Sequence, residues 1–188
     1  MSKHKLSAND ITLCAMLVAL ALGLSYAERL LGLQAIVPLP GIKLGLANIV
    51  TLTALYFLGT KTAFTVLVLR CLLGSIFGGG PSALIFSLTG GLLALTVMAV
   101  LRQVRFLSVY GVSVCGAAAH NVGQIAAAML VMKSTAALGY LPLLLFMSLA
   151  TGFVTGAVCS SVFKALRATG RYPVMGGTTC LKTYSRTQ

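Results

Sequence analysis

The feature that most constrains this 188-residue chain is its near lack of acidic side chains around six long apolar runs. Asp10 and Glu28 are its only acidic residues, against 14 lysines and arginines. Charged residues make up 9% of the chain, whereas a soluble domain usually carries about 25%. A fold this apolar requires lipid as its solvent, and the shortage of carboxylates excludes most metal-dependent and carboxylate-based chemistry.

The apolar runs are continuous rather than alternating at every second residue, which favours transmembrane helices over a β-barrel. At about 20 residues per crossing, the length accommodates six helices in one bundle. We therefore expect an all-α membrane protein. The predicted helices span residues 11–31, 44–57, 62–77, 82–101, 107–132 and 142–166, each within a few residues.

The membrane domain is predicted to cover residues 11–168. Residues 1–10 form a short cytoplasmic N-terminus, and the polar, Gly/Thr-rich residues 169–188 a disordered cytoplasmic tail. The first apolar run also resembles a secretory signal peptide, with Ser25-Tyr26-Ala27 in the position of a cleavage site. We expect it to be a retained helix, because a signal peptide ahead of a multispan protein is the less common arrangement.

Basic residues outside the apolar runs predict the orientation, because cytoplasmic loops carry an excess of lysine and arginine. With six crossings the termini share one side, which receives ten basic residues: Lys3, Lys5, Lys61, Arg102, Arg105, Lys164, Arg167, Arg171, Lys182 and Arg186. The other side receives three: Arg29, Lys43 and Lys133. Both termini are therefore predicted to be cytoplasmic, in the plasma membrane of a bacterium, and this placement indicates membrane topology rather than nucleic-acid binding.

Small residues recur at every fourth position of the first helix: Ala15, Ala19, Gly23 and Ala27. Such a row lets another helix approach closely. It is interpreted either as packing within the bundle or as a docking surface for a partner subunit. For the similar row from Ser148 to Ser160 in the sixth helix, packing within the bundle is the preferred interpretation.

Arg70 lies near the middle of the third predicted helix, where a charge costs about 3 kcal/mol. One interpretation is a structural pair with Glu28 or with a backbone carbonyl. The other is a contact with an anionic ligand, because a guanidinium binds phosphate or carboxylate through two parallel hydrogen bonds.

Polar side chains also interrupt the fifth and second apolar runs. His120, Asn121 and Gln124 require either partners on other helices or a ligand in a cavity. Asn48 follows the Pro/Gly-containing segment 32–43, which we expect to close over a pocket as a lid. Lys43 at the end of this segment is either a ligand contact or an interfacial anchor.

Three motifs together resemble one protein family. They are Pro40–Asn48 (PGIKLGLAN), Arg70–Gly80 (RCLLGSIFGGG) and Ala119–Gln124 (AHNVGQ). The family is the small membrane family named heptaprenyl diphosphate synthase component I, also called the Gx transporter family, and the resemblance covers about residues 8–168.

That family in turn resembles the substrate-binding S-components of energy-coupling factor (ECF) transporters. This resemblance implies six helices, cytoplasmic termini, and a pocket open to the outside under the loop between helices one and two. It also implies that an alanine-spaced motif on helix one docks a coupling subunit that joins two ATPases. Ala15 and Ala19 match that motif, and Gly23 extends it.

We therefore expect an S-component-like subunit for uptake of a small anionic or amphipathic solute. Its expected ligand-binding residues are Arg70, His120, Asn121, Gln124, Asn48 and Lys43. No catalytic residue, metal or cofactor is expected, and the absence of a Gly-x-x-x-x-Gly-Lys-Ser/Thr motif assigns ATP hydrolysis to partners.

The alternative is a membrane accessory subunit of a polyprenyl diphosphate synthase in isoprenoid quinone synthesis. Known prenyl synthases hold Mg²⁺ with two Asp-rich motifs, which this chain lacks. The partner would then be a soluble synthase rather than a coupling subunit, and we expect the chain itself not to be an enzyme.

Overall fold

The structure, a computed structural model, describes residues 8–30, 43, 45–104 and 106–168, and its described residues are almost entirely helical. Six α-helices follow one another: α1 (Ala8–Leu30), α2 (Asn48–Phe57), α3 (Thr60–Gly74), α4 (Gly80–Leu101), α5 (Val109–Met132) and α6 (Leu141–Ala168). One wide π-type turn, Ser75–Gly79, joins α3 to α4, and a 3₁₀ turn, Thr135–Tyr140, precedes α6. The prediction of an all-α membrane bundle is confirmed.

Three of the predicted segments lie partly or wholly outside the described residues. These are the cytoplasmic N-terminus 1–10, of which residues 8–10 are described, the cytoplasmic tail 169–188, and the lid segment 32–43, of which Lys43 is described.

Five stretches of the described chain are long and apolar enough to cross a membrane: residues 11–30, 60–77, 80–101, 109–132 and 135–165. The remaining helix, α2, has 10 residues and begins four residues later than predicted. At about 1.5 Å per residue it spans about half of a hydrocarbon layer. Gly45 and Ala47, which precede it, are buried within the bundle, where non-helical backbone at membrane depth is tolerated.

Gly45 explains the late start of α2. Its φ of +84° lies in the left-handed region, which favours glycine. A turn follows, in which the Asn48 N–H donates to the Gly45 carbonyl at 2.8 Å. Asn48 therefore becomes the first residue of the helix instead of Leu44.

Hydrogen bonds between elements identify the two ends of the bundle. At one end, the end of α1 contacts both the end of α3 and the start of α2, through Arg29–Gly74 and Glu28–Gly45 bonds. At the other end, Arg102 after α4 donates to the Leu55 carbonyl and to the Thr60 hydroxyl. The first end is the one that the charge pattern predicts to face outside, and we call it the outer end.

The helices pack with α5 between α4 and α6. Glycines make this packing close. A Cβ atom at Gly123 would lie 2.8 Å from the Gly90 Cα, and one at Gly152 would lie 2.6 Å from the Val114 Cα. The backbones of α5 and α4, and of α6 and α5, are therefore in near-direct contact. The row of small residues in α6 faces inward, as the packing interpretation requires.

Apolar side chains fill the rest of the interior. The largest buried cluster joins all the helices from α2 to α6 and includes Leu55, Leu67 and Met98. Within it, Phe163 packs edge-on against Phe57, with 4.7 Å between ring centroids. A second buried cluster, which includes Phe86, Ile125 and Leu144, packs between α4, α5 and α6.

Candidate functional site

A small cavity lies at the outer end of the bundle, between α1, α3, α4 and the segment before α2. Its volume is about 10 Å³, room for about one water molecule. We call it the outer-end cavity. Its lining residues are Ser25, Lys43, Arg70, Cys71, Gly74, Ser75, Ala83 and Ser87. The lining combines a guanidinium, an ammonium and three hydroxyl groups, of which the Ser75 hydroxyl donates to the Leu72 carbonyl at 2.7 Å.

Arg70 is the most deeply placed cation of the site. Arg70 is 7% exposed, and its Nη2 donates to the Asn48 Oδ1 at 3.3 Å. Within the described part of the chain, Arg70 Nε and Asn48 Nδ2 are buried without a hydrogen-bond partner. A buried donor without a partner costs about 1–3 kcal/mol. The pair therefore offers donors that an acceptor on a ligand would satisfy.

Lys43 reaches into the bundle from the segment before α2. Its Nζ donates to the Ser87 Oγ of α4 at 3.0 Å. Burial lowers the pKa of its ammonium below the ordinary lysine value, and the positive charges of Arg29 and Arg70 lower it further, while Glu28 opposes the shift. Lys43 is therefore a half-buried cation close to two others.

Gln124 and His120 hold this segment in place from α5. The Gln124 amide is oriented so that its oxygen accepts from the Lys43 N–H at 3.2 Å and from His120 Nε2 at 3.1 Å. Its nitrogen donates to the Lys43 carbonyl at 3.0 Å. One side chain thus satisfies both backbone polar groups of Lys43. Neither Gln124 nor His120 is among the residues that line the outer-end cavity.

Glu28 holds the next two residues of the same segment from α1. Its Oε1 accepts from the Gly45 N–H at 2.8 Å, and its Oε2 accepts from the Leu46 N–H at 3.3 Å. The buried carboxylate of Glu28 therefore binds backbone amides. Arg70, for which we considered a structural pair with Glu28, has Asn48 as its hydrogen-bond partner.

Gly45 allows this segment to pass close to α5. A Cβ atom there would lie 2.8 Å from Asn48 Nδ2 and 2.9 Å from His120 Cδ2. The three sequence motifs therefore meet at one place, because Gly45 and Asn48 belong to the first, Arg70 to the second and His120 to the third.

Asn121 points in a different direction from the rest of the predicted site. It is fully buried, and its Nδ2 donates to the Leu144 carbonyl of α6 at 2.8 Å. This is the interhelical bond that the sequence left open as the alternative. The structure does not bring Asn121 to the outer-end cavity.

Arg29 is a functional candidate that the sequence reasoning used only for topology. Its Nη2 donates to the Gly74 carbonyl at 3.1 Å, where α3 gives way to the π-type turn. The hydroxyls of Ser25, Ser75 and Ser87 were also missed. Each is a single small polar residue in an apolar stretch of sequence. That it lines the cavity becomes visible only when the helices are packed.

The small residues of α1 lie on the outside of the bundle. Ala15, Ala19, Gly23 and Ala27 are all exposed. A Cβ atom at Gly23 would have no neighbouring atom within 4 Å. In the described chain, these residues therefore do not mediate contact between α1 and another helix.

Across the described residues, no three His, Cys, Asp or Glu side chains come close enough together to hold a metal ion. The arrangement is suited to binding an anion through cationic and hydroxyl donors. Among the described residues that line the cavity, Lys43 and Cys71 are the ones whose side chains could accept a proton near neutral pH.

A model of the protein family described as heptaprenyl diphosphate synthase component I matches residues 17–162. The matched range contains the outer-end cavity and the residues that hold the segment before α2. No curated protein and no solved structure matches the chain.

Proposed function

The chain belongs to the heptaprenyl diphosphate synthase component I family, and on that premise we propose that it is a membrane subunit that captures a small anionic or amphipathic solute in the outer-end cavity. The observation that carries this proposal is the convergence of Arg70 and Lys43 on one cavity inside a membrane bundle. Holding two cations together away from water is costly unless an anion neutralises them.

The contacts of the segment before α2 support a capture role. Lys43 and Gly45 are connected to α1, α4 and α5 by side-chain hydrogen bonds rather than by a helix. Such bonds exchange partners more easily than a packed helix unfolds. The stretch around Lys43 and Gly45 is therefore the part of the site best able to rearrange around a solute.

The exposed row on α1 supports a transport role of the S-component type. Ala15, Ala19 and Gly23 present a flat strip to the lipid, which is the kind of surface on which a partner helix packs closely. We propose that a coupling subunit docks there and that its ATPases supply the energy, since this chain carries no phosphate-binding loop.

Arg70→Ala tests the capture proposal. The full chain, purified in lipid nanodiscs, is screened for thermal stabilisation by vitamins, flavins, quinone precursors and prenyl phosphates. We expect one class of anionic or amphipathic compounds to stabilise the parent chain and to lose its effect in Arg70→Ala. Lys61→Ala, which removes an exposed cation at the opposite end, is the control and retains the response. A ligand that binds Arg70→Ala as well as the parent contradicts the proposal.

The family description favours a second candidate function. The chain would be the membrane subunit of a polyprenyl diphosphate synthase whose soluble partner supplies the Asp-rich magnesium sites. Affinity purification of the full chain from its native membrane separates the two candidates. Recovery of a soluble, Asp-rich synthase supports the second, and recovery of a coupling subunit with ATPases supports the first.

A further inference from the structure

The outer end of the bundle carries more positive charge than the chain itself neutralises. Arg29, Lys43 and Arg70 supply three positive charges, and both arginines act electrostatically on Lys43. Glu28 supplies a nearby negative charge. The other acidic residue of the chain, Asp10, belongs to the first turn of α1, at the opposite end of that helix.

The remaining part of the connection between α1 and α2 does not alter this balance. Residues 31–42 and Leu44 contain no acidic or basic side chain. Three cations and one carboxylate therefore leave a net charge of +2 around the outer-end cavity. The Glu28 oxygens are engaged by the backbone N–H groups of Gly45 and Leu46.

We infer that the ligand of this site carries two negative charges on one tetrahedral group, that is, a terminal phosphoryl group in its doubly ionised form. The inference rests on the proposed function, that the outer-end cavity captures an anion, and adds the chemical class of that anion. A single carboxylate or sulfate ester would neutralise only half of the net charge, in a setting where an uncompensated charge is costly.

The lining suits a phosphoryl group in shape as well as in charge. A guanidinium donates two parallel hydrogen bonds to phosphate oxygens, and a lysine ammonium binds them as a point charge. Arg70 and Lys43 supply these two groups on the same cavity, and Ser25 and Ser87 add hydroxyl groups. The Ser75 hydroxyl already donates to the Leu72 carbonyl at 2.7 Å.

The cavity is smaller than a phosphoryl group, so binding must exchange existing contacts. The bonds available for exchange are Lys43 Nζ to Ser87 Oγ at 3.0 Å and Arg70 Nη2 to Asn48 Oδ1 at 3.3 Å. Both have a neutral acceptor. A doubly charged oxygen group replaces each of them with a bond in which both donor and acceptor are charged.

Two sources share this chemistry: a water-soluble phosphate ester and a membrane lipid that ends in a phosphate. The test uses the full chain in nanodiscs of zwitterionic lipid at pH 7.5, with binding measured by calorimetry or thermal stabilisation. The soluble arm compares methyl phosphate with methyl sulfate, which has the same shape and one charge less. The lipid arm compares phosphatidic acid with phosphatidylglycerol, whose phosphodiester carries one charge.

We expect the doubly charged member of at least one pair to bind about tenfold or more tightly than its singly charged partner. Preference in the soluble arm alone identifies a phosphate ester as the ligand class, and preference in the lipid arm alone identifies a lipid phosphate. Equal binding within both pairs overturns the inference but leaves anion capture intact. Absence of binding by all four probes overturns the inference, whereas the proposed function is decided separately by the solute screen with Arg70→Ala.

Charge variants test the cause of the preference. Arg29→Gln reduces the net charge to +1 and is expected to lower the preference for the doubly charged probe several-fold. Arg29→Lys keeps the charge and retains the preference, which separates charge from loss of the Gly74 contact. Lys133→Gln removes a cation from the same end of the bundle, outside the cavity lining, and is expected to change nothing. An unchanged preference in a folded Arg29→Gln variant contradicts the charge argument.

Discussion

At the scale of single residues, the site is built from two sets of side chains: cations that line the cavity, and side chains that hold the backbone before α2. Arg70 and Lys43 line the cavity, whereas Gln124 and Glu28 bind the backbone that carries Lys43. Gln124 pairs with both polar groups of one peptide residue, and Glu28 with the next two N–H groups described. The charge of Lys43 is thereby positioned by groups that are not themselves in the cavity.

The pH dependence of anion binding follows from Lys43. Burial, then Arg29, lowers its pKa, while Glu28 and Cys71 act in the opposite direction. The ammonium therefore loses its charge at a lower pH than an ordinary lysine, and anion affinity falls as the pH rises through this lowered value. In the unliganded protein, stability changes with pH in the opposite direction to anion affinity. The fold favours the neutral amine, so stability rises with pH between the lowered pKa and that of the unfolded chain.

Lys43→Arg provides the check, because a guanidinium stays charged throughout this range. Affinity for an anionic ligand, measured from pH 7 to pH 10, is expected to fall in the parent chain and to stay level in Lys43→Arg. Lys133→Arg is the matched control and follows the parent. A parallel fall in Lys43→Arg would assign the alkaline loss to a different group.

At the scale of elements, the contact between α4 and α5 determines where His120 and Gln124 lie. A Cβ atom at Gly123 would lie 2.8 Å from the Gly90 Cα and 2.9 Å from the Thr89 carbonyl oxygen. Both neighbours are backbone, so the helices themselves must separate to admit a methyl group.

Gly123→Ala is therefore expected to lower stability by about 1–3 kcal/mol, the usual cost of overpacking, and to weaken ligand binding through Gln124. Thermal unfolding in detergent and binding by calorimetry measure the two effects. Gly23→Ala, at an exposed position with no atom within 4 Å, is the control and keeps both properties. Parent-like stability of Gly123→Ala would show that α4 and α5 are less closely packed.

The exposed strip on α1 gives a second prediction at this scale. Ala19→Leu adds a bulky side chain to an outward position, so it is expected to block assembly with a partner subunit while leaving ligand binding unchanged. Ala150→Leu makes the same change at an exposed position of α6 and serves as the control. Co-purification yield from the native membrane is the measurement. Equal yield from both variants would mean that the partner does not contact this strip.

The helices were predictable from the sequence, but the contacts between side chains of different helices were only partly predictable. Continuous apolar runs and the Gly-rich break near Gly80 are local signals, and they gave five of the helices to within a few residues. The late start of α2 depends on the positive φ of Gly45 and on Glu28, a residue 17 positions away. Likewise, Asn121 and Gln124 are three residues apart, yet they bond to different neighbours, a choice that only the packing of α6 and the Lys43 segment decides.

At the scale of the whole molecule, the excess of basic residues predicts which end of the bundle faces the cytoplasm. Lys61 lies near Arg102 at one end of the bundle. Lys133, directly after α5, lies at the other end, the outer end. We expect the outer-end cavity to open away from the cytoplasm.

Cysteine labelling tests this orientation. Lys133→Cys is expected to react with a membrane-impermeant maleimide in intact cells, and Lys61→Cys only after the membrane is permeabilised. Labelling is compared with that of the parent chain, which has five cysteines of its own. The reverse pattern would place the cavity on the cytoplasmic face and rule out capture from outside.

The contacts just before α2 limit where residues can be inserted into or deleted from this chain. From Lys43 to Asn48 the chain is fixed at both ends and in the middle, by Gln124, Glu28 and the first turn of α2. One added or deleted residue would shift the following backbone by about 3.5 Å, beyond the reach of a hydrogen bond. Insertions and deletions should therefore be tolerated least just before α2, although the described residues there, Lys43 and Gly45–Ala47, belong to no helix.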